Sequence, residues 1–270
     1  MDIKFKAFLK WAGGKSRISD DIKSHFKDGK RLVEPFVGSG AIFLNTSFKK
    51  YLLCDSNVDL INLYNNLKFF PEKLIKKTKK LFSKSYNTEE QFYILRDKFN
   101  TLEPSDIEKS SIFIYLNKHA FNGLCRYNSN GFFNVPYGRY KNPEFPEDKM
   151  KNFANKSQNA VFKHQDFGST FSEIKKSDIV YCDPPYVPLS LTSSFTSYTK
   201  NDFNLEDQKR LAKNAEILKS KGIQCIISNH DLEVTRKLYQ KSNIFELKVQ
   251  RNIASRSSSR KKVGEIIAVF

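Results

Sequence analysis

The chain has 270 residues, which is enough to bury a large core in one domain or in a domain with an insertion. It carries 46 lysines and arginines against 29 acidic residues, so its formal net charge is +17. This excess favours a polyanionic partner such as nucleic acid, although lysines also serve simply to solvate helices. The N-terminal segment is charged where a signal peptide needs an apolar core, and no apolar run is long enough to span a membrane. We therefore predict a cytoplasmic protein without a membrane partner.

The cysteines indicate neither a disulfide framework nor a metal site. The four cysteines form no CxxC pair, and the four histidines are equally scattered. Three of the cysteines lie inside or at the end of apolar runs, as small buried side chains do. The prediction is a reduced protein that uses no metal.

A glycine turn lies near the N-terminus, in the sequence Lys10-Trp11-Ala12-Gly13-Gly14-Lys15. Its two adjacent glycines permit a tight backbone turn and the close approach of a ligand. Lys15 is suited to binding an anion there, whereas Trp11 is equally suited to a core position. The motif alone does not decide between a binding site and a packing role.

A second glycine turn, within 32–40, follows a predicted strand and precedes a helix over 41–45. The next strand, 51–54, ends in Asp55, which lies 17 positions after Gly38. That interval is close to the one at which an acid binds ribose hydroxyls in Rossmann-type sites, so the pattern favours a ligand that contains a nucleoside. The alternative is a plain turn with an aspartate that caps the next helix.

Helical patterns dominate from residue 56 to about 159, where strand patterns are scarce. The apolar spacing predicts helices over 58–67, 71–82, 89–99 and 106–117, with Ser56 or Asn57 capping the first. We therefore predict that 56–159 is a mainly helical domain inserted into a discontinuous domain made of 1–55 and 160–270.

An aromatic and polar stretch, 121–140, lies inside this insertion. Asn130-Gly131 is a strong β-hairpin turn signal, and arginine, asparagine and aromatic residues alternate around it. Such side chains read bases, since arginine pairs with guanine, asparagine pairs with adenine, and rings wedge between base pairs. A hairpin that packs its rings on neighbouring helices is the alternative, but it would bury many polar groups.

The strand 179–182 ends at Asp183-Pro184-Pro185-Tyr186, because two prolines cannot extend a β-ladder. Asp183 then lies at the carboxyl end of the strand, where open α/β sheets bind their ligands. A carboxylate, a stiff backbone carbonyl and the ring of Tyr186 can together hold a planar ring that bears an amino group. Considered alone, the segment fits a simple proline turn equally well.

The last third of the chain is predicted to complete the sheet. A loop over 190–201, rich in serine and threonine, is typical of a mobile lid, and a basic, serine-rich loop over 251–262 suits contacts with phosphates. The other predicted elements are a helix over 204–219 that Asn204 and Asp207 cap, a strand over 223–228, a helix over 231–241 and an antiparallel pair of strands over 245–249 and 265–270.

Taken in chain order, the motifs resemble those of the DNA adenine methyltransferase (Dam) family. The resemblance covers almost the whole chain and is carried by KWAGGK at 10–15, LVEPFVGSG at 32–40, NGLCRYN at 122–128, FNVP at 133–136, GRY at 138–140, VYCDPPY at 180–186, ISNHD at 227–231 and KKV at 261–263. It implies an α/β fold, with a Rossmann-like seven-stranded methyltransferase sheet and an inserted, mainly helical target-recognition domain that carries a β-hairpin. It also implies an enzyme that uses S-adenosyl-L-methionine to methylate the exocyclic N6 of adenine in double-stranded DNA, usually within GATC.

The resemblance assigns functional roles to individual residues of this chain. The implied cofactor site consists of Trp11, Ala12, Gly13, Gly14, Lys15, Pro35, Phe36, Gly38, Ser39, Gly40, Asp55, Asp166, Phe167 and Asp183. The implied catalytic residues are Asp183, Pro184 and Tyr186, and the implied DNA contacts are Lys10, Phe121, Asn122, Leu124, Arg126, Asn134, Pro136, Arg139 and Tyr140. Phe121 departs from the family, whose close relatives have tyrosine there. Its ring can still wedge into a duplex, but it lacks the hydroxyl.

The implied reaction depends on positioning and needs neither a metal nor a covalent intermediate. The amine of adenine is inaccessible inside a duplex, so the nucleotide must flip out. Asp183 and the carbonyl of Pro184 would then accept both amine hydrogens and direct the nitrogen lone pair at the sulfonium methyl group, with Tyr186 stacked on the base. In this role Asp183 orients an amine and does not act as a general base.

Three alternatives to this function stay open at the level of sequence. One is a related enzyme that acts on cytosine or RNA, and another is an adenine methylase of a restriction system with a different recognition sequence. The third is a DNA-binding protein without activity, which would not need the cofactor residues. Nothing in the sequence implies an obligate protein partner, and we expect a monomer.

Overall fold

The computed structural model describes residues 4–187, 203–247 and 264–270. These residues contain a seven-stranded sheet with the order β3-β2-β1-β4-β5-β7-β6. Its strands are β1 (Arg31–Glu34), β2 (Lys50–Asp55), β3 (Ala160–His164), β4 (Asp178–Cys182), β5 (Gln224–His230), β6 (Asn243–Leu247) and β7 (Glu265–Val269). Strands β1 to β5 are parallel, whereas β7 runs antiparallel to both of its neighbours, β5 and β6. The predicted antiparallel pair at the end of the chain is thereby confirmed, except for residues 248 and 249, which lie outside the described residues.

Helices cover both faces of this sheet. They are α1 (Ser19–Ser24), α2 (Ala41–Leu44), α3 (Val58–Phe69), α4 (Pro71–Lys80), α5 (Glu89–Thr101), α6 (Ile107–His119), α7 (Glu147–Ser157), α8 (Phe167–Ser172), α9 (Leu205–Ser220) and α10 (Glu233–Leu238). Alternate residues of a strand point to opposite faces, so Tyr181 packs in a core with α3, α6 and α7, and Val180 packs in a second core with α9. Strands β4 and β5 are buried along their whole length, as expected for central strands of a covered parallel sheet.

The strand order places the functional motifs at one point of the sheet. From β1 the chain continues on one side to β2, and the other side of β1 pairs with β4, so the sheet reverses its winding between β1 and β4. The second glycine turn follows β1, and Asp183 follows β4. Both therefore lie at the carboxyl edge of a topological switch point, which is where open α/β sheets bind ligands.

Helices α3 to α7 lie between β2 and β3, as predicted for the insertion. The four predicted helices are present, with starts that agree within one residue and C-terminal ends shifted by two. Asn57 caps α3 by accepting the N–H of Leu60 at 2.9 Å. Helix α7 was not predicted, because its sequence is mostly polar and buries only four residues. The division of the chain into two domains remains a prediction.

The aromatic stretch differs from the predicted hairpin. The N–H of Gly131 donates to the carbonyl of Asn128 at 2.9 Å, so a tight turn forms. Its two limbs pair through an isolated bridge, Tyr127 with Phe133, and two backbone hydrogen bonds flank that bridge. No regular strand lies in this part of the described chain. A side chain of a neighbouring helix also binds the backbone of the stretch, as Asn100 does with Phe133.

The end of the chain contains one correction to a predicted boundary. The predicted helix over 231–241 is only α10, because Asp231 stays outside it: its N–H donates to Gly264, and its carboxylate binds Arg236 at 2.6 and 2.9 Å. The predicted capping of α9 is confirmed, since Asn204 and Asp207 form a reciprocal capping box. The predicted lid, 190–201, and the basic loop, 251–262, lie outside the described residues. Among the helices that are described, none is long and apolar enough to cross a membrane.

Candidate active site

The glycine turn after β1 is held in a left-handed backbone conformation that favours glycine. Gly38 has φ +46° and Gly40 has φ +71°. The N–H of Gly38 donates to Asp55 at 3.0 Å, and its carbonyl accepts a hydrogen bond from the hydroxyl of Tyr64 at 2.5 Å. A Cβ atom on Gly38 would lie 2.9 Å from the indole nitrogen of Trp11. The turn, the indole ring and the end of β2 therefore form one fixed surface. No local sequence pattern indicated the contact with Tyr64.

Asp55 lies at the end of β2, as predicted, and both of its carboxylate oxygens accept backbone hydrogen bonds. One oxygen binds Gly38, and the other accepts the N–H of Asn57 at 3.0 Å. Burial raises the pKa of Asp55, and these two hydrogen bonds oppose that rise because they favour the charged form. Asn57 caps α3, so the alternative of a purely capping Asp55 is not what the structure shows.

The first glycine turn places Lys15 at the end of β4. The ammonium of Lys15 lies 2.8 Å from Oδ1 of Asp183, donates to the carbonyl of Gly13 at 2.6 Å, and stands 4.6 Å from the centre of the Tyr186 ring. Burial raises the pKa of Asp183 and the nearby carboxylate of Glu265 adds to the rise, whereas Lys15 opposes it. The pocket formed by Asp183 and Tyr186 thus already binds a nitrogen that carries hydrogens.

Tyr186 is positioned by two residues that were not predicted as part of the site. Its hydroxyl donates to Glu265, the first residue of β7, at 3.3 Å, and its ring meets the edge of His230 with centroids 4.7 Å apart. The carbonyl of Pro185 accepts a hydrogen bond from Gln208 of α9 at 2.8 Å. The proline turn is therefore fixed from both sides. Only the ISNHD segment, which contains His230, gave any signal of these contacts.

Glu34 is the last residue of β1, the strand that pairs with β4. Its side chain is 2% exposed, and burial raises its pKa well above the usual range, with the Asp183 carboxylate contributing to the rise. Loss of solvent and the neighbouring negative charge both disfavour the charged form of the Glu34 carboxyl group.

An aromatic group lies beside the glycine turn, where Phe36, Phe167 and Phe203 meet with each pair of ring centroids 5.5 Å apart. Asp166 caps α8 by accepting the N–H of Gly168, and its carboxylate also accepts two hydrogen bonds from Arg210. The structure thus brings Phe36 and Phe167 together, and it places Asp166 in an ion pair at their rim.

One group of predicted DNA contacts is assembled around Asn117, a residue of α6 that sequence reasoning missed. The side chain of Asn117 bonds the backbone N–H and carbonyl of Lys10 at 2.8 and 2.7 Å. The ammonium of Lys10 lies 4.4 Å from the centre of the Tyr140 ring, whose hydroxyl accepts the N–H of Asn122 at 3.0 Å. Lys10, Asn122 and Tyr140 are therefore neighbours, although they lie far apart in the chain.

The other predicted DNA contacts lie along the aromatic stretch. Nε of Arg126 donates to the side chain of Asn134 at 2.8 Å, which fixes the plane of the guanidinium. The carbonyl of Pro136 accepts the N–H of Phe121, and the Phe121 ring is 50% exposed. Leu124 is half-buried, whereas Arg139 is exposed, with φ +54° and a contact to Glu89 at 3.4 Å. The exposed ring of Phe121 and the oriented guanidinium of Arg126 thus belong to the same stretch of the chain.

Comparison with known proteins agrees with this arrangement. Residues 11–253 match the model of the D12 class of N6 adenine-specific DNA methyltransferases. The chain is 48% identical to the DNA adenine methylase of Salmonella typhi and 46% identical to that of Escherichia coli K12, in both cases over 99% of this chain and 96% of the relative. The solved structure of a precorrin 8w decarboxylase from Methanobacterium thermoautotrophicum is only distantly similar, with 13% identity and a TM-score of 0.38 over 94% of this chain and 89% of its own.

The mixed sheet, with glycine turns and an acid at its carboxyl edge, is consistent with a methyltransferase fold. The chain belongs to the D12 class of N6 adenine-specific DNA methyltransferases. It is accordingly an enzyme that methylates adenine in DNA, as the sequence resemblance implied.

Proposed function

We propose that the protein transfers the methyl group of S-adenosyl-L-methionine to the N6 of an adenine flipped out of double-stranded DNA, within GATC sites. The observation that carries this proposal is the pocket at the end of β4. There the Asp183 carboxylate holds the Lys15 ammonium at 2.8 Å, against the face of the Tyr186 ring. A carboxylate that binds a nitrogen beside a stacking surface is suited to hold an aminopurine.

The residues around the glycine turns fit S-adenosyl-L-methionine. When bound, it supplies an electrophilic methyl group on a sulfonium. Gly38 lets the backbone approach a ligand closely, and any side chain there would meet Trp11. Asp55 is aligned by two backbone N–H groups and has the position of an acid that binds ribose hydroxyls. The half-buried ring of Phe36, which packs against Phe167, offers an apolar contact for an adenine base.

The pocket at Asp183 explains how a weakly nucleophilic amine is made to react. Asp183 and the carbonyl of Pro184 each accept one amine hydrogen, which aims the nitrogen lone pair away from the protein and toward the donor. Tyr186 stacks on the base, and Glu265 fixes the ring through its hydroxyl. Catalysis is then mainly positioning, with the carboxylate stabilising the positive charge that develops on nitrogen. Lys15 must leave the Asp183 oxygen as the base arrives.

Recognition of DNA is assigned to the surface that carries Lys10, Arg126 and Tyr140. Arg126 is held flat by Asn134, as bidentate pairing with guanine requires. Phe121 and Leu124 supply apolar groups that can enter the space left by the flipped base. Pro136, Asn122 and Arg139 border them, and the net charge of +17 favours binding to the phosphate backbone of DNA.

The match of this segment to the Dam family motif supports GATC as the target. We further infer that 56–159 acts as the recognition domain of a monomeric enzyme.

The decisive experiment supplies the purified protein with methyl-labelled S-adenosyl-L-methionine and unmethylated DNA, followed by mapping of the modified bases. We expect labelled N6-methyladenine at GATC and no label on cytosine. Modified adenine in another sequence would instead indicate a restriction-type methylase. Label on cytosine alone, or no transfer to DNA, would contradict the proposal.

Replacing Gly38 with alanine tests the cofactor site. We expect affinity for S-adenosyl-L-methionine to fall about tenfold, because the left-handed backbone costs about 1–2 kcal/mol for any L-residue and the new methyl group meets Trp11. Titration calorimetry without DNA measures this directly. Gly222→Ala is the matched control: it has φ +70° but no atom within 4 Å, so it should lower stability alone. Equal cofactor affinity in both variants would remove Gly38 from the site.

A further inference from the structure

A buried polar cluster links the first turn of α3 to the segment that contains Arg126. The hydroxyl of Tyr127 donates to Oδ2 of Asp59 at 2.8 Å, and the ammonium of Lys109 lies 3.3 Å from Oδ1 of the same carboxylate. Asp59 is 7% exposed and Lys109 is 8% exposed. Lys109 also donates to the carbonyl of Leu102 at 2.8 Å. Asp59 thus meets a hydroxyl on one side and a cation on the other.

Two further contacts fasten the same stretch. The amide of Asn57 lies 3.9 Å from the sulfur of Cys125, and the side chain of Asn100 bonds both the N–H and the carbonyl of Phe133 at 2.8 and 3.2 Å. Phe133 forms the isolated bridge with Tyr127. Both limbs of the turn are therefore tied to helices, one limb to α3 and the other to α5.

These contacts determine the direction in which the side chain of Arg126 points. Alternate side chains of an extended segment point in opposite directions. Cys125 and Tyr127 are turned toward α3, so Arg126 between them is turned away, toward Asn134. Asn134 in turn directly follows the tied residue Phe133. Arg126 and Asn134 therefore each lie next to a residue that is held by a helix: Tyr127 for Arg126 and Phe133 for Asn134.

We propose that Asp59, through the hydroxyl of Tyr127, is a positioning residue for base readout by Arg126. The inference rests on the proposed function, because it assigns these residues to the specificity of that same surface. Buried ion pairs contribute little net stability compared with apolar replacements, whereas they define one conformation against others. A bidentate pair between arginine and guanine needs a fixed orientation of the guanidinium, since a small tilt breaks one of its two hydrogen bonds.

Tyr127→Phe removes the hydroxyl and leaves the ring in place, so it isolates this role. The measurement is the ratio of single-turnover methylation rates on a GATC duplex and on a duplex changed at the base pair that Arg126 reads. Both rates come from one preparation, so any unfolded fraction cancels in the ratio. We expect this ratio to fall about tenfold, because the buried Asp59 oxygen loses its donor and the segment shifts. Cofactor affinity should not change.

The double variant Arg126→Ala with Tyr127→Phe separates positioning from general stability. If Tyr127 acts through Arg126, the double variant should discriminate no worse than Arg126→Ala alone. Tyr51→Phe is the matched control, since it removes a buried hydroxyl that bonds Thr46 and Phe48 in the sheet region, and its ratio should equal that of the wild type.

The outcomes distinguish this inference from the proposed function. An unchanged ratio in Tyr127→Phe, with a reduced ratio in Arg126→Ala, overturns the positioning role and leaves the function intact. An additive loss in the double variant also overturns it. No site-selective methylation by the wild type overturns both.

Discussion

Replacing Asp183 with alanine should lower the single-turnover rate of methyl transfer by at least about 10²–10³-fold, the effect typical of losing one preorganised electrostatic contact to a transition state. The carboxylate lies at the carboxyl end of β4, and it is the group that binds the Lys15 ammonium at 2.8 Å. Without it, the adenine amine keeps one acceptor at most, and the developing positive charge on nitrogen has no counter-ion. Binding of S-adenosyl-L-methionine should remain measurable by calorimetry.

Asp183→Asn provides the graded comparison, because an amide oxygen still accepts one hydrogen but carries no charge. Its rate should lie between those of the wild type and the alanine variant. Both changes leave Lys15 buried without a carboxylate, so thermal unfolding should be recorded alongside to confirm that the variants are folded. A rate near that of the wild type in folded Asp183→Ala would remove Asp183 from the chemistry.

Replacing Arg126 with alanine should relax specificity at one base pair and leave transfer itself possible. A bidentate contact with guanine contributes about 1–3 kcal/mol of discrimination, which corresponds to about 10- to 100-fold in relative rates. The measurement compares kcat/KM on GATC with kcat/KM on a set of duplexes that carry one changed base pair each.

Arg139→Ala supplies the contrast, because this arginine is exposed and we propose that it contacts a phosphate. It should weaken binding to all duplexes alike and reduce the salt dependence of binding by about one unit of slope. If Arg126→Ala instead produced this uniform pattern, Arg126 would be a phosphate contact and the guanine would be read by another group.

The features that could be predicted from sequence are those with local causes. Two prolines end β4 at Asp183, so the position of the acid at the sheet edge needed no knowledge of the fold. Asn57 and Asn204 cap the helices that follow them, because capping uses donors two or three residues away. The strand ends and most helices were predicted for the same reason.

The features that were missed depend on contacts between distant parts of the chain. Lys10 is held by Asn117, 107 residues away, and Tyr186 is held by Glu265, 79 residues away. No local pattern encodes such a partner. The predicted hairpin is an intermediate case: Asn130-Gly131 makes the turn and the limbs pair through two backbone hydrogen bonds, but no regular strand forms in this part of the described chain. Distant side chains also hold the limbs, as Asp59 and Asn100 do.

Lys15 shows why a residue type alone does not define a role. The sequence indicated an anion-binding lysine at a glycine turn, and the resemblance placed it in the cofactor site. The structure places its ammonium on the carboxylate of Asp183, which directly follows β4. The anion that it binds in the structure is therefore part of the protein itself.

The pairing of β1 with β4 joins distant parts of the chain. Arg31 of β1 binds Asp178 of β4 across 147 residues, and this pair lies at the centre of the sheet. The entropy lost in closing a loop grows with its length, whereas α3 to α6 contact one another over short separations. The helical insertion is therefore expected to become compact early. Its compaction shortens the effective length of the loop that must close when β1 pairs with β4. We therefore expect the segment that we propose for base readout to assist the joining of β1 and β4 as well.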